Sequence, residues 1–118
     1  MHFTTLAIAL FSTTGWAGYV LQDDYFAHGD FFSNFDFFDS SDPTHGFVEY
    51  QSQSDASSAG LVSSDSSNAK MMVDSTNVTP DGRPSVRITS KKKYSSGLIV
   101  LDVDHMPGGV CGTWYAIQ

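Results

Sequence analysis

A single cysteine, Cys111, in 118 residues leaves the chain without an internal disulfide. Positive charge is scarce too. Six Lys and Arg face 13 Asp and Glu, a formal charge of −7, which argues against a nucleic-acid surface, since that needs clustered cations. The one basic run, Lys91-Lys92-Lys93, reads as a solvated loop or a charged guard on a strand edge rather than an anion-binding patch. Helical periodicity is hard to find, which disfavours a helical protein. No apolar run is long enough to cross a bilayer as a helix. The four histidines, His2, His28, His45 and His105, are scattered, with none at metal-ligand spacing. A G-x-S-x-G nucleophile turn and a phosphate-cradling glycine loop are both missing. Glutamate is the rarest acid: Glu49 stands alone beside twelve aspartates.

What the chain does have begins with an export signal. Residues 1–5 are nearly uncharged, with His2 as their only basic candidate. Residues 6–11 (LAIALF) are apolar, and Gly15 and Ala17 put small side chains where a signal peptidase inspects them. Residues 1–17 therefore read as a signal peptide cut after Ala17. The mature domain, 18–118, would start at Gly18 and be secreted to the extracellular space. In an exported chain a lone Cys111 implies a free thiol, an intermolecular bridge or a missing partner. Asn77-Val78-Thr79 is the only glycosylation sequon, which places Asn77 on an exposed loop; Pro80 follows the sequon at once and disfavours its use.

Nine Phe residues and an aromatic share of 14%, set among Ser, Thr, Asn, Asp and Gly, suit strands and loops. Short apolar runs at 19–21, 31–38, 46–50, 60–62, 70–73, 85–89, 97–103 and 110–114 alternate with turn chemistry at Asp42-Pro43, 63–68, 79–82 and Pro107-Gly108-Gly109. The pattern predicts an all-β sandwich or jelly roll. Along 85–89, Val86 and Ile88 should face a core while Arg87 faces water. Residues 98–101 (LIVL) are apolar on both faces, as in a strand covered on both sides. Five Phe within 31–38 demand burial, at about 1.5–3 kcal/mol for each fully buried ring.

Carboxylates are the chemistry on offer. A glycosidase needs two carboxyl groups across the scissile bond, about 5–5.5 Å apart in a retaining enzyme. Asp102 and Asp104 have the i, i+2 spacing that points two side chains to one face of a strand, but they sit just before the 105–109 turn, where solvation at the strand's end explains them. Asp23-Asp24 and Asp102/Asp104 carry oxygen ligands of the kind calcium takes, but read better as solvated or turn-capping groups. No catalytic constellation, metal site or cofactor site emerges.

Taken in order, several motifs resemble the N-terminal part of fungal glycoside hydrolase family 16 β-glucanases. They are Asp23-Asp24-Tyr25, the Phe-rich 31–38, Asp42-Pro43-Thr44-His45-Gly46-Phe47-Val48-Glu49-Tyr50, 73–77, 85–90, and His105-Met106-Pro107-Gly108-Gly109-Val110-Cys111-Gly112-Thr113-Trp114. The resemblance runs from about Tyr19 to Trp114. It implies a partial jelly-roll β-sandwich of the concanavalin-like lectin/glucanase type, and retaining endo-hydrolysis of β-1,3 or mixed β-1,3/1,4 glucan. In such relatives Gly-Thr-Trp is followed by Pro, then by a strand bearing E-x-D-x-x-E, whose first Glu is nucleophile and whose last is acid/base. Here Tyr115 stands at the Pro position and the carboxylate pattern does not occur. The expectation is accordingly an incomplete, inactive form with no catalytic residue, in which Trp114 contributes to a glucan surface and Cys111 lacks its partner. The alternative is a non-catalytic glucan-binding or interaction module. The partner is β-glucan, not nucleic acid or membrane, and self-association or a Cys111-linked dimer is expected of the isolated chain.

Overall fold

The Phe-rich segment is where local chemistry and burial meet first. Asp30 caps a short 3-10 turn, Phe31–Asn34, its carboxylate accepting from the Phe32 amide at 3.0 Å. The turn swings Phe32 inward, to 4% exposure, and hands the chain to strand β1, Phe35–Phe37. In this computed structural model residues 18–27, 29–109 and 116 are described. The 1–17 leader, His28, the expected 110–114 strand, Cys111 and Trp114 lie outside them.

Five further strands follow: β2 Val48–Tyr50, β3 Val62–Ser64, β4 Ala69–Met71, β5 Arg83–Ser85 and β6 Ile88–Ser90. They form three two-stranded ladders. β1 pairs antiparallel with β6 (Phe35 opposite Ser90, Phe37 opposite Ile88), and β3 with β4 (Val62 opposite Met71). β2 runs parallel to β5, with Val48 opposite Arg83 and Tyr50 opposite Ser85. A parallel pair needs a long crossover, and the chain between β2 and β5 supplies one that contains a helix and the β3–β4 hairpin. That hairpin closes on Asp65, whose Oδ1 accepts from the amides of Ser67 and Asn68, both at 2.8 Å.

Helix α1, Gln53–Ser58, was not evident from periodicity. Its signal is a capping box: Ser52 Oγ accepts from the Asp55 amide at 3.2 Å and donates to the Asp55 carboxylate at 2.6 Å. One buried residue, Ala56, fixes the helix against Phe32, Leu61 and Val62, and Phe31, Phe37, Ala69, Val86 and Ile88 pack around this core. The Leu61 amide donates to Ala56 O at 2.8 Å, joining the helix to β3.

Four strand expectations change. Residues 31–34 are a turn, because Asp30 captures the backbone first. The 85–89 run is split between β5 and β6, though its alternation survives: Val86 and Ile88 are half-buried while Arg87 and Thr89 are exposed. Residues 19–21 and 97–103 form no strand. Leu98, Ile99, Val100 and Leu101 are 63%, 78%, 81% and 60% exposed, because no described segment pairs with them.

Candidate functional site

The sequence Asp42-Pro43-Thr44-His45-Gly46 makes a turn whose hub is the Asp42 carboxylate. It accepts from the Thr44 hydroxyl at 2.6 Å, the Gly46 amide at 2.7 Å and the Thr44 amide at 3.3 Å. These bonds, led by the Thr44 hydroxyl, with Arg87 adding its charge, hold Asp42 below the ordinary aspartate range. His45 sits at φ 55, a left-handed conformation that His tolerates better than most residues.

The turn forms one wall of a cleft of about 480 Å³, lined by Asp39, Asp42, His45, Glu49, Tyr50 and Asp81 with Ser40, Ser41, Gly46 and Val48. β2 contributes Glu49 and Tyr50, and the turn before β5 contributes Asp81. Asp42 is committed to its own turn. Asp39, Glu49 and Asp81 make no side-chain hydrogen bond among the described residues, so their carboxylates can accept from a ligand's hydroxyls. Tyr50 is braced by its neighbours: its ring meets Phe38 edge-on at 5.5 Å, and the Arg87 guanidinium lies 4.9 Å from the Phe38 ring centre and 5.8 Å from that of Tyr50. The arrangement suits a neutral, hydroxyl-rich ligand that offers donors to carboxylates. Among the described residues no group of three His, Cys, Asp or Glu side chains is set to hold a metal ion.

A second polar cluster has a structural task. Lys92 Nζ donates to both Asp23 carboxylate oxygens, at 2.7 and 2.6 Å, Tyr94 donates to Asp23 at 3.0 Å, and the Tyr25 and Tyr94 hydroxyls lie 3.1 Å apart. The bond from Lys92 is the main reason that Asp23 stays below the ordinary aspartate range. Tyr94 is raised, chiefly by its contact with Tyr25. Lys91 Nζ donates to Ser33 O at 2.8 Å. The three lysines are exposed and follow directly on β6, as expected of a charged guard at a strand edge, and Lys91 and Lys92 in addition tie that edge to Ser33 and Asp23.

Of the residues singled out from sequence, Glu49 is on the cleft wall and exposed. Asp102, Asp104 and His105 are exposed and lie on no strand, away from any ladder. Asp23 is occupied by Lys92 and Tyr94. Asn77 is exposed in the β4–β5 loop, with its amide Nδ2 donating to Asp74 at 3.2 Å. The cleft itself was missed. The Asp-x-x-x-Gly turn before β2 was its only local sign, and the approach of Asp81 depends on the β2–β5 pairing.

The sequence model described as "XgeA-like, catalytic GH16 domain" matches residues 35–117, a span that includes the whole cleft lining. An endo-1,3(4)-beta-glucanase of Arthroderma benhamiae is 45% identical over 112 residues, which is 94% of this chain and 24% of that protein. The endo-1,3(4)-beta-glucanase xgeA of Emericella nidulans is 55% identical over 82 residues, 66% of this chain and 13% of that protein. The chain thus spans about a quarter or less of the length of these curated relatives. Among solved structures, an elongating family 16 beta-1,3-glucosyltransferase superimposes with a TM-score of 0.50 at 44% identity, covering 54% of this chain and 23% of that one. The short ladders described above are therefore pieces of an all-β jelly roll, and the chain belongs to glycoside hydrolase family 16, in its XgeA-like branch.

Proposed function

We propose that the protein containing these residues is an extracellular endo-hydrolase of β-1,3 or mixed β-1,3/1,4 glucan, working with retention. In this reading residues 18–118 build part of the glucan surface and do not supply the reacting carboxyl pair. The observation that carries it is the family match across 35–117, which holds a cleft of unpaired carboxylates and a braced tyrosine suited to sugar hydroxyls. Retaining hydrolysis needs a nucleophile and an acid/base about 5–5.5 Å apart. The chain's only glutamate is Glu49, and E-x-D-x-x-E does not occur in it. Export is supported by the 1–17 segment, and secreted material sequenced from its N-terminus should begin at Gly18.

The test is reducing-end release from laminarin and lichenan by the whole protein and by residues 18–118 separately. The whole protein should be active and the shorter piece at background. Activity in 18–118 that disappears in an Asp102→Asn, Asp104→Asn double variant would place the chemistry inside this chain and overturn the assignment. An inactive whole protein retained on insoluble glucan would favour a binding module instead. The solved relative's description as a glucosyltransferase favours a second reading, in which a sugar hydroxyl rather than water intercepts the glycosyl-enzyme. Products longer than the starting oligosaccharide would decide for it.

A further inference from the structure

The β4–β5 loop holds its sequon locked. Asp74, 8% exposed, accepts through Oδ1 from the Thr76 amide at 3.0 Å, the Thr76 hydroxyl at 2.9 Å, the Asn77 amide at 3.4 Å and Asn77 Nδ2 at 3.2 Å. Its backbone fastens the loop to β5, the amide donating to Pro84 O at 3.0 Å and the carbonyl accepting from the Arg83 guanidinium. Thr79, the hydroxyl residue of the sequon, has its Oγ1 buried without a hydrogen-bond partner among the described residues. Asn77 and Val78 meanwhile face solvent, Val78 at 95% exposure.

N-glycosyl transfer needs the asparagine amide free to act as nucleophile and the hydroxyl two residues on within reach of the transferase. In the closed loop the amide is held by Asp74 and the hydroxyl is buried. We propose that Asn77 is an N-glycosylation site that accepts its oligosaccharide only before the 74–80 loop closes on β5, and that Asp74 then grips the glycosylated amide. In the transfer, a bond forms from Nδ2 to the anomeric carbon of a lipid-pyrophosphate-linked oligosaccharide. The C1–O bond breaks, the lipid pyrophosphate leaves with the electron pair, and the amide gives one proton to the transferase's base. The second amide N–H remains and can still donate to Asp74 Oδ1, while Asn77 itself is exposed. In the cell this rests on the export reading. The test bypasses export, so the two can fail separately.

Unglycosylated whole protein made in bacterial cytoplasm would be mixed with purified oligosaccharyltransferase and lipid-linked oligosaccharide, either refolded beforehand or at the moment of dilution from denaturant. Glycopeptide mass spectrometry should find sugar on Asn77 in the refolding sample, and about tenfold less or lower in the prefolded one, because a closed loop must first open locally. Asp74→Ala should raise modification of the prefolded protein, and Thr79→Ala should abolish it in both samples. Equal modification of prefolded and refolding wild type would overturn the proposal, as would an unmodified Asn77 in the refolding sample. That comparison needs no variant to fold.

Discussion

Gly82 is buried where β5 begins, at φ 147, and a Cβ there would meet Val48 C and Val48 O at 3.2 Å and Glu49 N at 3.4 Å. Those atoms are backbone of the partner strand, so they have no rotamer to give. Gly82→Ala combines a forbidden conformation with a direct push on the β2–β5 ladder, and should cost about 1–3 kcal/mol, read as a lower thermal unfolding midpoint. Gly97→Ala is the control: φ is 141 but nothing lies within 4 Å, so it should lose less. If both lose the same, the close approach to Val48 contributes nothing. Acid dependence also belongs at this scale. Asp23, Asp42, Asp65 and Asp74 are all held below their ordinary 3.8, by hydrogen bonds from Lys92, the Thr44 hydroxyl, the Ser67 amide and the Thr76 amide respectively as the leading causes. A depressed carboxyl adds stability that is fully present above the unfolded-state value and is lost as pH falls through the folded-state one. The unfolding midpoint should be insensitive to these groups above about pH 5 and fall steadily below about pH 4. A midpoint unchanged down to pH 2 would mean that the turns do not depend on them.

Among the elements, α1 depends most on one side chain. A six-residue helix is too short to persist alone, so it relies on the Ser52–Asp55 capping box and on burial of Ala56. Ser52→Ala removes the cap and should cost about 0.5–2 kcal/mol. Hydrogen exchange would show the loss locally, as faster exchange of the Ala56, Ala59 and Leu61 amides, which donate to Ser52 O, Asp55 O and Ala56 O. Unchanged protection there would mean that core packing alone holds the helix. The β3–β4 hairpin is anchored differently, by Asp65 at its turn and by the Met72 amide donating to Leu61 O at 2.7 Å past its open end.

At the scale of the whole molecule, the described residues form three separate two-stranded ladders, of which β1–β6 and β3–β4 contribute side chains to a small core around Phe32, Ala56, Leu61 and Val62. A two-stranded ladder is marginal in water by itself, and net stability even of a complete domain is only about 5–15 kcal/mol. Meanwhile Tyr19, Val20 and Leu21, at 88%, 75% and 80% exposure, and the 98–101 run present apolar surface to solvent. Residues 18–118 produced alone should therefore self-associate, and light scattering after size exclusion should find species larger than a monomer. A monodisperse monomer with a sharp cooperative transition would overturn this and strengthen the binding-module reading.

Local chemistry was legible in the residues themselves. The all-β class, the inward Val86 and Ile88 and the exposed Asn77 loop followed from period-two alternation and turn residues, which act over a few neighbours, and the family followed from the order of motifs along the chain. The Ser52-x-x-Asp55 box was also local, and helix α1 was missed only because six residues carry too little periodicity to register. Tertiary structure decided the rest. β2 lies parallel to β5 rather than beside a neighbour in the chain, and that pairing brings Asp81, just ahead of β5, to the cleft that Glu49 and Tyr50 also line. Lys92 finds Asp23 only because the β1–β6 ladder returns the chain to the N-terminal segment. Residues 98–101 have the composition of a covered strand yet stay exposed, because a strand's hydrogen bonds must be completed by a partner, and a continuous apolar run states a preference for one without supplying it.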